Sequence, residues 1–565
     1  MPGILTWLVI LPLIALPAIL VVKKEKIEWA KWITLGVCVA QFLLTVIIYF
    51  TFKSQPATGV NLENQLAFIE KVDWISFQLG EHGVFSSQYF LGLDGLNVLL
   101  IVLSGFILLI AFIASWNIKK KQKAYYSLYL ILASSIYGCF ASLDLLVFYI
   151  FFEFMLLPMY FLIGIWGGER REYAAIKFFL YTLVGSMFIL AAILGLYSSV
   201  IDPLKTGELL ALTGSPEEII SKVQILLMEG GIHDSSKLVH TFNMTYLMDK
   251  DNFIPGSIFH FDNAHQLLGL GMRTWGFLFL FIGFAIKLPL IPLHTWLPDA
   301  HVEAPTPMSI ILAGIMLKIG GYGMLRLAFP IFPDGAKELA WYIGLISVIT
   351  IVYSAYVALG QKQLKKLIAY SSVSHMGFVV LGLISFNSLG VTGAMYQMIS
   401  HGLISGMLFL AAGVIKDRTH NLQIENYSGL ASKMPYFTAF VTIAFFASLA
   451  LPGFSGFIGE VFIFLGAFTS ASSIEIIPVW MVLIALFGVV LTAAYYLWTL
   501  QRMFFGKYWL KDETQWDPLL TDLTSRELGL FIAMGVLVLL FGILPSTLTD
   551  LINPSIEHLL KLISE

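Results

Sequence analysis

The chain has 565 residues, 58% of them hydrophobic and only 12% charged, with a formal net charge of −3. Soluble proteins carry about 25% charged residues, so this composition is that of a polytopic membrane protein. The slightly acidic balance argues against nucleic acid as a partner, and the two isolated cysteines, Cys38 and Cys139, exclude a Cys-ligated iron–sulfur cluster, an attached c-type haem and a disulfide framework.

Crossing about 30 Å of hydrocarbon takes about 20 apolar residues. By that measure the sequence predicts 14 spans, at 3–22, 32–52, 92–115, 125–142, 144–165, 174–200, 274–297, 307–328, 338–359, 367–386, 388–415, 436–468, 478–504 and 527–547. The first, MPGILTWLVI, lacks a basic leader and reads as a retained span rather than a cleaved signal. Connections are short except 53–91, 201–273 and 505–526. No G-x-G-x-x-G follows a strand-like run and there is no Walker lysine loop, so no flavin, nicotinamide or ATP site is expected in this chain.

Lysine and arginine gather after spans 1, 3, 5, 9, 11 and 13: at Lys23, Lys24, Lys26 and Lys31; at Lys119, Lys120, Lys121 and Lys123; at Arg170, Arg171 and Lys177; at Lys362, Lys365 and Lys366; at Lys416, Arg418 and Lys433; and at Arg502, Lys507, Lys511 and Arg526. The short loops after even-numbered spans are nearly bare. The positive-inside rule then puts these clusters in the cytoplasm and both termini outside.

Two pairs of segments resemble each other. GSMFILAA (185–192) matches SGMLFLAA (405–412) at an offset of 220, and the interrupted spans KLPLIP (287–292) and ALPGFSG (450–456) match at an offset of 163 when Pro289 is aligned with Pro452. The offsets differ by the length of an insertion within 201–273. Spans 4–8 and 9–13 would be the repeats, and an odd number of spans per unit makes them inverted, each with a broken helix. The expected division is 1–124 (spans 1–3), 125–328 (first repeat, with insertion 201–273), 338–504 (second repeat) and 527–565 (span 14 and tail).

An ionised side chain at a helix centre costs about 2.5–3.5 kcal/mol on insertion scales. Six ionisable groups sit mid-span here, each in a different span: Glu153, Lys287, Lys318, His375, His401 and Glu460. A lone buried histidine is more often a hydrogen-bonded core residue, but six groups in six spans point to a connected polar pathway. Burial lowers a lysine pKa and raises a glutamate pKa, and histidine titrates near neutrality, so these residue types suit a proton relay. Pro289 and Pro292 break span 7 beside Lys287, and Pro452, Gly453 and Gly456 break span 12 beside Glu460. Irregular backbone at membrane depth is tolerated where it lines a polar interior. The loop HTWLPDAHVEAPTP (294–307) carries His294, Asp299, His301 and Glu303; its spacing matches no recognised metal site, and it is expected to close the cytoplasmic half-channel.

The segments FFEFMLLPMYFLIG, AIKLPLIPLHTWLPDAHVEAPTPMSIILAGIMLKIGGYGMLR, YSSVSHMG, YQMISHGL and LPGFSGFIGE together resemble the antiporter-like membrane subunits of respiratory complex I, most closely the subunit M type, the bacterial counterpart of mitochondrial NADH dehydrogenase subunit 4. Glu460 stands where the L and N types are expected to carry lysine, and no long lateral helix of the L type follows span 14. The resemblance covers nearly the whole chain. It implies an all-α membrane fold and a Glu153–Lys287 ion pair between helices. Lys318 would be the central lysine, His375 and His401 connecting groups, and Glu460 the terminal residue. It also implies neighbouring L and N type subunits, a bacterial cytoplasmic membrane, and redox energy arriving from FMN, iron–sulfur clusters and quinone in other subunits. Mrp-type sodium/proton antiporter subunits share much of the pattern and form the alternative. A structural anchor with inert polar residues is a third reading. Insertion 201–273 is longer than the family connection should be. It contains a helix start at Ser215-Pro216-Glu217-Glu218 and is either a surface cap or the docking site of an extra subunit.

Overall fold

A computed structural model of the chain describes residues 3–54, 66–232, 234–473 and 476–564. The extreme ends, residues 55–65, residue 233 and residues 474–475 lie outside the described residues. Thirteen helices among the described residues are long and apolar enough to cross a membrane. The remaining predicted span, the seventh, is two helices, Met272–Lys287 and Trp296–Glu303, each too short to qualify alone. Span 12 is likewise divided, into Pro435–Ser448 and Ser455–Ser473. Span 5 (Leu145–Trp166) is continuous but carries a local irregularity at Met155, three residues before Pro158, through which the bonds Met155 N to Phe151 O (3.2 Å) and Met159 N to Met155 O (3.4 Å) persist.

Burial sorts the spans into layers. Spans 8 (Thr306–Ile331) and 11 (Ser388–Thr419) are buried throughout their apolar windows, whereas span 1 (Ile4–Val21) and span 2 (Glu28–Ser54) are mostly open. The open faces carry large apolar side chains such as Trp7, Leu20, Phe50, Leu157 and Leu194, as a lipid-facing surface requires. Span 11 packs between span 10 (Leu364–Leu383) and the second half of span 12, and span 7 packs between span 6 (Arg171–Ser199) and span 8. Glycines set the closest approaches. A Cβ on Gly320 would lie 2.8 Å from both Leu288 N and Phe284 O, so span 8 runs directly against the break in span 7.

Two structured layers lie outside the spans on the face opposite the lysine-rich loops. Strands β1 (Ala67–Gln78) and β2 (Val84–Leu93) form an antiparallel hairpin, and β3 (Val239–Thr241) from insertion 201–273 adds parallel to β2. These strands supplement the expected all-helical architecture. The insertion has a small core of Ile201, Ile219, Val223, Leu227 and Leu238. Its helix Pro216–Met228 starts at the foreseen signal, with Ser215 and Glu218 capping each other's backbone. Arg273 ties the insertion to the bundle. Its guanidinium donates to Asp334 (2.8 and 3.0 Å), Phe259 O (2.9 Å) and Ile331 O (3.0 Å).

A final helix, Ser546–Ser564, follows span 14 (Ser525–Ile543). Leu548, Leu551, Ile552, Ile556, Leu559 and Ile563 form its buried stripe. It reaches several spans: Ser555 Oγ accepts from Gly95 N at 2.9 Å, Thr392 Oγ1 donates to Asn553 Oδ1 at 2.8 Å, and Lys337 Nζ donates to Ile563 O at 2.7 Å.

Candidate functional site: a buried polar axis

The breaks are built from proline and compensated locally. Pro289 and Pro292 offer no N–H, so the run of helix hydrogen bonds ends with Leu288 N to Phe284 O at 2.8 Å. Leu290 N reaches back to Ala285 O at 3.0 Å, Trp296 Nε1 donates to Ile286 O at 2.9 Å, and Ile291 N donates to Thr350 Oγ1 at 3.2 Å. In span 12, Ala450 and Gly453 adopt positive φ values of 57° and 95°. Gly456 comes so near the first half that a Cβ would meet Ala447 O at 2.3 Å. Lys287 is the last residue of the first half of span 7, and Glu460 lies in the second turn after the break in span 12.

Lys287 is 1% exposed and its Nζ has no hydrogen-bond partner. The ammonium instead faces two rings, 5.1 Å from the centroid of Phe152 and 5.8 Å from that of Phe178. Glu153 Oε1 is also buried without a partner. The ion pair expected between them is therefore not closed, although they remain electrostatic neighbours, with Cys139 also nearby. Lys287 extends over aromatic faces, while Glu153 sits one turn beyond Tyr149, whose hydroxyl reaches toward Glu153 and Ser186.

The other four candidates are brought together. Lys318 Nζ donates to Ala313 O and lies 2.7 Å from His401 Nδ1. The His401 ring lies 5.5 Å, centroid to centroid, from that of His375. His375 Nδ1 lies 3.4 Å from Glu460 Oε1. None of the four is more than 4% exposed. Lysine donates only, so His401 Nδ1 is the acceptor whenever Lys318 is charged. Lys318 follows a π-helical turn at Leu312–Met316, and a second such turn spans Met324–Ala328. A wide turn leaves carbonyls such as Ala313 O open to a side chain, and these turns recur at functional sites.

The sequence left several members of this network unmarked. His375 Nε2 lies 3.2 Å from Ser448 Oγ, which donates to Tyr496 Oη at 2.8 Å; Tyr496 donates to Ser371 Oγ at 2.8 Å. Gln397 Nε2 lies 3.4 Å from His375 Nδ1. A serine or tyrosine is unremarkable in an apolar helix, so only proximity to His375 marks these residues.

The loop candidates separate. Asp299 accepts from Lys177 at 2.7 Å, His294 lies against Tyr353 and Tyr370, and His301 stacks on Phe409. Among the described residues, no group of three His, Cys, Asp or Glu side chains is placed to hold a metal ion. Lys365, read from the sequence as part of the basic loop cluster after span 9, is fully buried at the start of span 10.

Comparison with known proteins identifies the family. Residues 142–233 and 231–492 match the family model described as NADH:quinone oxidoreductase/Mrp antiporter, TM, and residues 66–139 match NADH-ubiquinone oxidoreductase chain 4, amino terminus. The NADH-quinone oxidoreductase subunit M of Rhodobacter capsulatus is 38% identical, covering 99% of this chain and 97% of that protein. The chain belongs to the subunit M family of complex I antiporter-like proteins. The NAD(P)H-quinone oxidoreductase chain 4 of Gloeobacter violaceus is 37% identical over 99% of this chain and 93% of its own. A chain of respiratory complex I from Thermus thermophilus superposes with a TM-score of 0.75 at 28% identity, covering 99% of both chains. A chain of the Mrp complex from Dietzia shares the fold, with a TM-score of 0.70 at 17% identity and 99% of both chains covered. Within the subunit M family, the polar axis here thus runs through a conventional scaffold.

Proposed function

We propose that this chain is a proton-translocating subunit of a bacterial NADH:quinone oxidoreductase and moves protons along Lys318, His401, His375 and Glu460. The observation that carries this reading is the chain of contacts itself: 2.7 Å from lysine to histidine, two neighbouring imidazoles, and 3.4 Å from histidine to glutamate. Each group can bind and release a proton, and the low-dielectric interior strengthens coupling between neighbours. Glu153 and Lys287 form the first, separable station, which closes as an ion pair in one state and opens in another. Spans 4–8 and 9–13 act as inverted repeats, each with one proline-broken helix and one titratable group at the break. The lysine-rich face is cytoplasmic and both termini lie outside.

Redox chemistry takes place on FMN, iron–sulfur clusters and quinone in other subunits, and this chain contributes proton transfer alone. L and N type subunits flank it, and insertion 201–273 offers a surface for an additional subunit. Substituting Glu153→Ala and Lys287→Ala in the intact complex should impair NADH-driven proton pumping while NADH-oxidising subunits still copurify. Full pumping by both assembled variants would refute the assigned roles. Purification without any NADH-oxidising subunit would favour an Mrp-type sodium/proton antiporter.

A further inference from the structure

Lys365 has an unusual position. It opens span 10 at the lysine-rich face, yet it is 0% exposed. Its Nζ donates to Ala304 O at 2.8 Å and lies 3.4 Å from Ser309 Oγ. The charged groups around it are Lys416, Asp417 and Glu303. Further inward lies His301, also 0% exposed, with neither ring nitrogen hydrogen-bonded. Its ring stacks on Phe409 at 4.3 Å and 11°, so both ring nitrogens project edgewise from the stack. The cations it faces are Lys365 and Lys318. Ser309 joins the two levels: its Oγ donates to His301 O at 3.2 Å and approaches Lys365 Nζ.

Outward from Lys365 a cavity of about 390 Å³ opens between spans 3, 8, 11 and 14, lined by Pro305, Thr306, Lys416, Asp417, Arg526 and Glu527 among others. Thr306 begins span 8 two residues after Ala304, the acceptor of the Lys365 hydrogen bond. Pro305 and Thr306, which line the cavity, directly follow Ala304, the acceptor that holds Lys365. Burying two unpaired imidazole nitrogens is costly for a residue with only a packing role. Capping the Trp296–Glu303 helix would account for the Lys365–Ala304 bond but not for the bare nitrogens of His301.

We infer that this cavity is a proton inlet that reaches Lys318 through Asp417, Lys365 and His301 and bypasses Lys287. The route deepens the relay reading above and rests on it. A proton from water in the cavity is taken by the Asp417 carboxylate and passed to the neutral amine of Lys365, forming its ammonium. The ammonium returns to the amine as one bare nitrogen of His301 takes the proton. The resulting imidazolium gives a proton to the Lys318 amine, leaving His301 neutral. Each group ends as it began, and one proton has moved inward to Lys318.

The test uses the whole complex reconstituted in liposomes, with NADH oxidation and proton uptake followed together. Lys365→Gln keeps a donor for Ala304 O but carries no proton. Lys365→Arg keeps donor and charge, but guanidinium does not deprotonate in proteins. Both variants, and His301→Gln, should lose pumping by about a hundredfold or more, the lower end of what a positioned acid–base group supplies. A capping role predicts wild-type pumping from both Lys365 variants. If both pump at full rate while Lys318→Ala does not, the inlet is overturned and the relay stands. If Lys318→Ala also pumps at full rate, the relay itself falls and the inlet with it. Should the arginine fail to assemble, the two glutamine variants decide.

Discussion

His401 offers the most direct test of the axis. Lys318 Nζ is 0% exposed and has two acceptors, Ala313 O and His401 Nδ1 at 2.7 Å. His401→Ala removes one of them and leaves a buried cation on a single backbone carbonyl. A hydrogen bond to a charged group contributes about 1.5–3 kcal/mol. If that bond is also the transfer step, its loss slows passage from Lys318 to His375 by about 10- to 150-fold, at about 1.4 kcal/mol per tenfold in rate. His401→Gln separates the two roles, because its amide oxygen still accepts from Lys318 but cannot carry a proton. Assembled complex, measured on native gels, should therefore fall for alanine and stay near wild type for glutamine. Pumping per NADH oxidised, measured with a pH-sensitive dye in proteoliposomes, should fall for both. Full pumping by His401→Gln would show that His401 only packs against Lys318.

Other parts of the molecule can be tested separately. Asp94 and Arg326 form a buried ion pair, and Asp94→Ala leaves the guanidinium with the Tyr322 hydroxyl as its remaining side-chain partner. The cost should be about 3–5 kcal/mol, seen as a lower unfolding temperature in detergent, and an unchanged temperature would contradict it. Gly320→Ala drives a Cβ into Leu288 N and Phe284 O, backbone atoms that cannot give way, and should cost about 1–3 kcal/mol and impair pumping. Gly36→Ala, where a Cβ meets nothing within 4 Å, is the control expected to be silent. Burial holds the His240 imidazole in β3 below its usual pKa. A depressed histidine adds stability above the unfolded value of about 6.5 and loses it as pH falls toward the folded value. Thermal unfolding should therefore ease on acidification below about pH 6.5, and less so in His240→Phe; equal pH dependence would exclude His240 as the cause. Ser215→Ala removes the reciprocal cap of the Pro216–Met228 helix and should destabilise it locally by about 1 kcal/mol, detectable as faster proteolysis within the insertion.

Much of this architecture is legible in hydropathy because a span is a local property of about 20 residues. The breaks in spans 7 and 12 were legible for the same reason: proline acts on its own turn, wherever the helix packs. The irregularity at Met155 was not, because Pro158 lies in an otherwise unbroken apolar run and the helix continues through it. The hairpin β1–β2 mixes apolar and polar residues in short runs, with register shifts between Ala67 and Glu70 and between Asp73 and Ile75, so a search for long apolar stretches passes over it. The Ser546–Ser564 helix has the reverse problem: its apolar stripe recurs at helical spacing, but its average is too polar to register. Buried charges could be found one by one from composition, whereas their pairing depends on which spans touch. The sequence brought Lys287 and Glu153 to notice and the expected pair did not close. Lys365 looked like a loop residue because it sits in a basic cluster with Lys362 and Lys366, and only the fold turns it inward.

The ring faces around Lys287 have an electrical meaning. Phe152 and Phe178 attract its charge but cannot accept its proton. Onward conduction therefore requires an acceptor to approach, either Glu153 or a water molecule admitted between the rings. A membrane that stores energy as a proton gradient cannot tolerate a closed wire across it, because such a wire would discharge the gradient without work. In the proposed relay the phenyl rings act as insulation around a station whose ammonium has no hydrogen bond, and whatever moves them aside sets when Lys287 can pass its charge on.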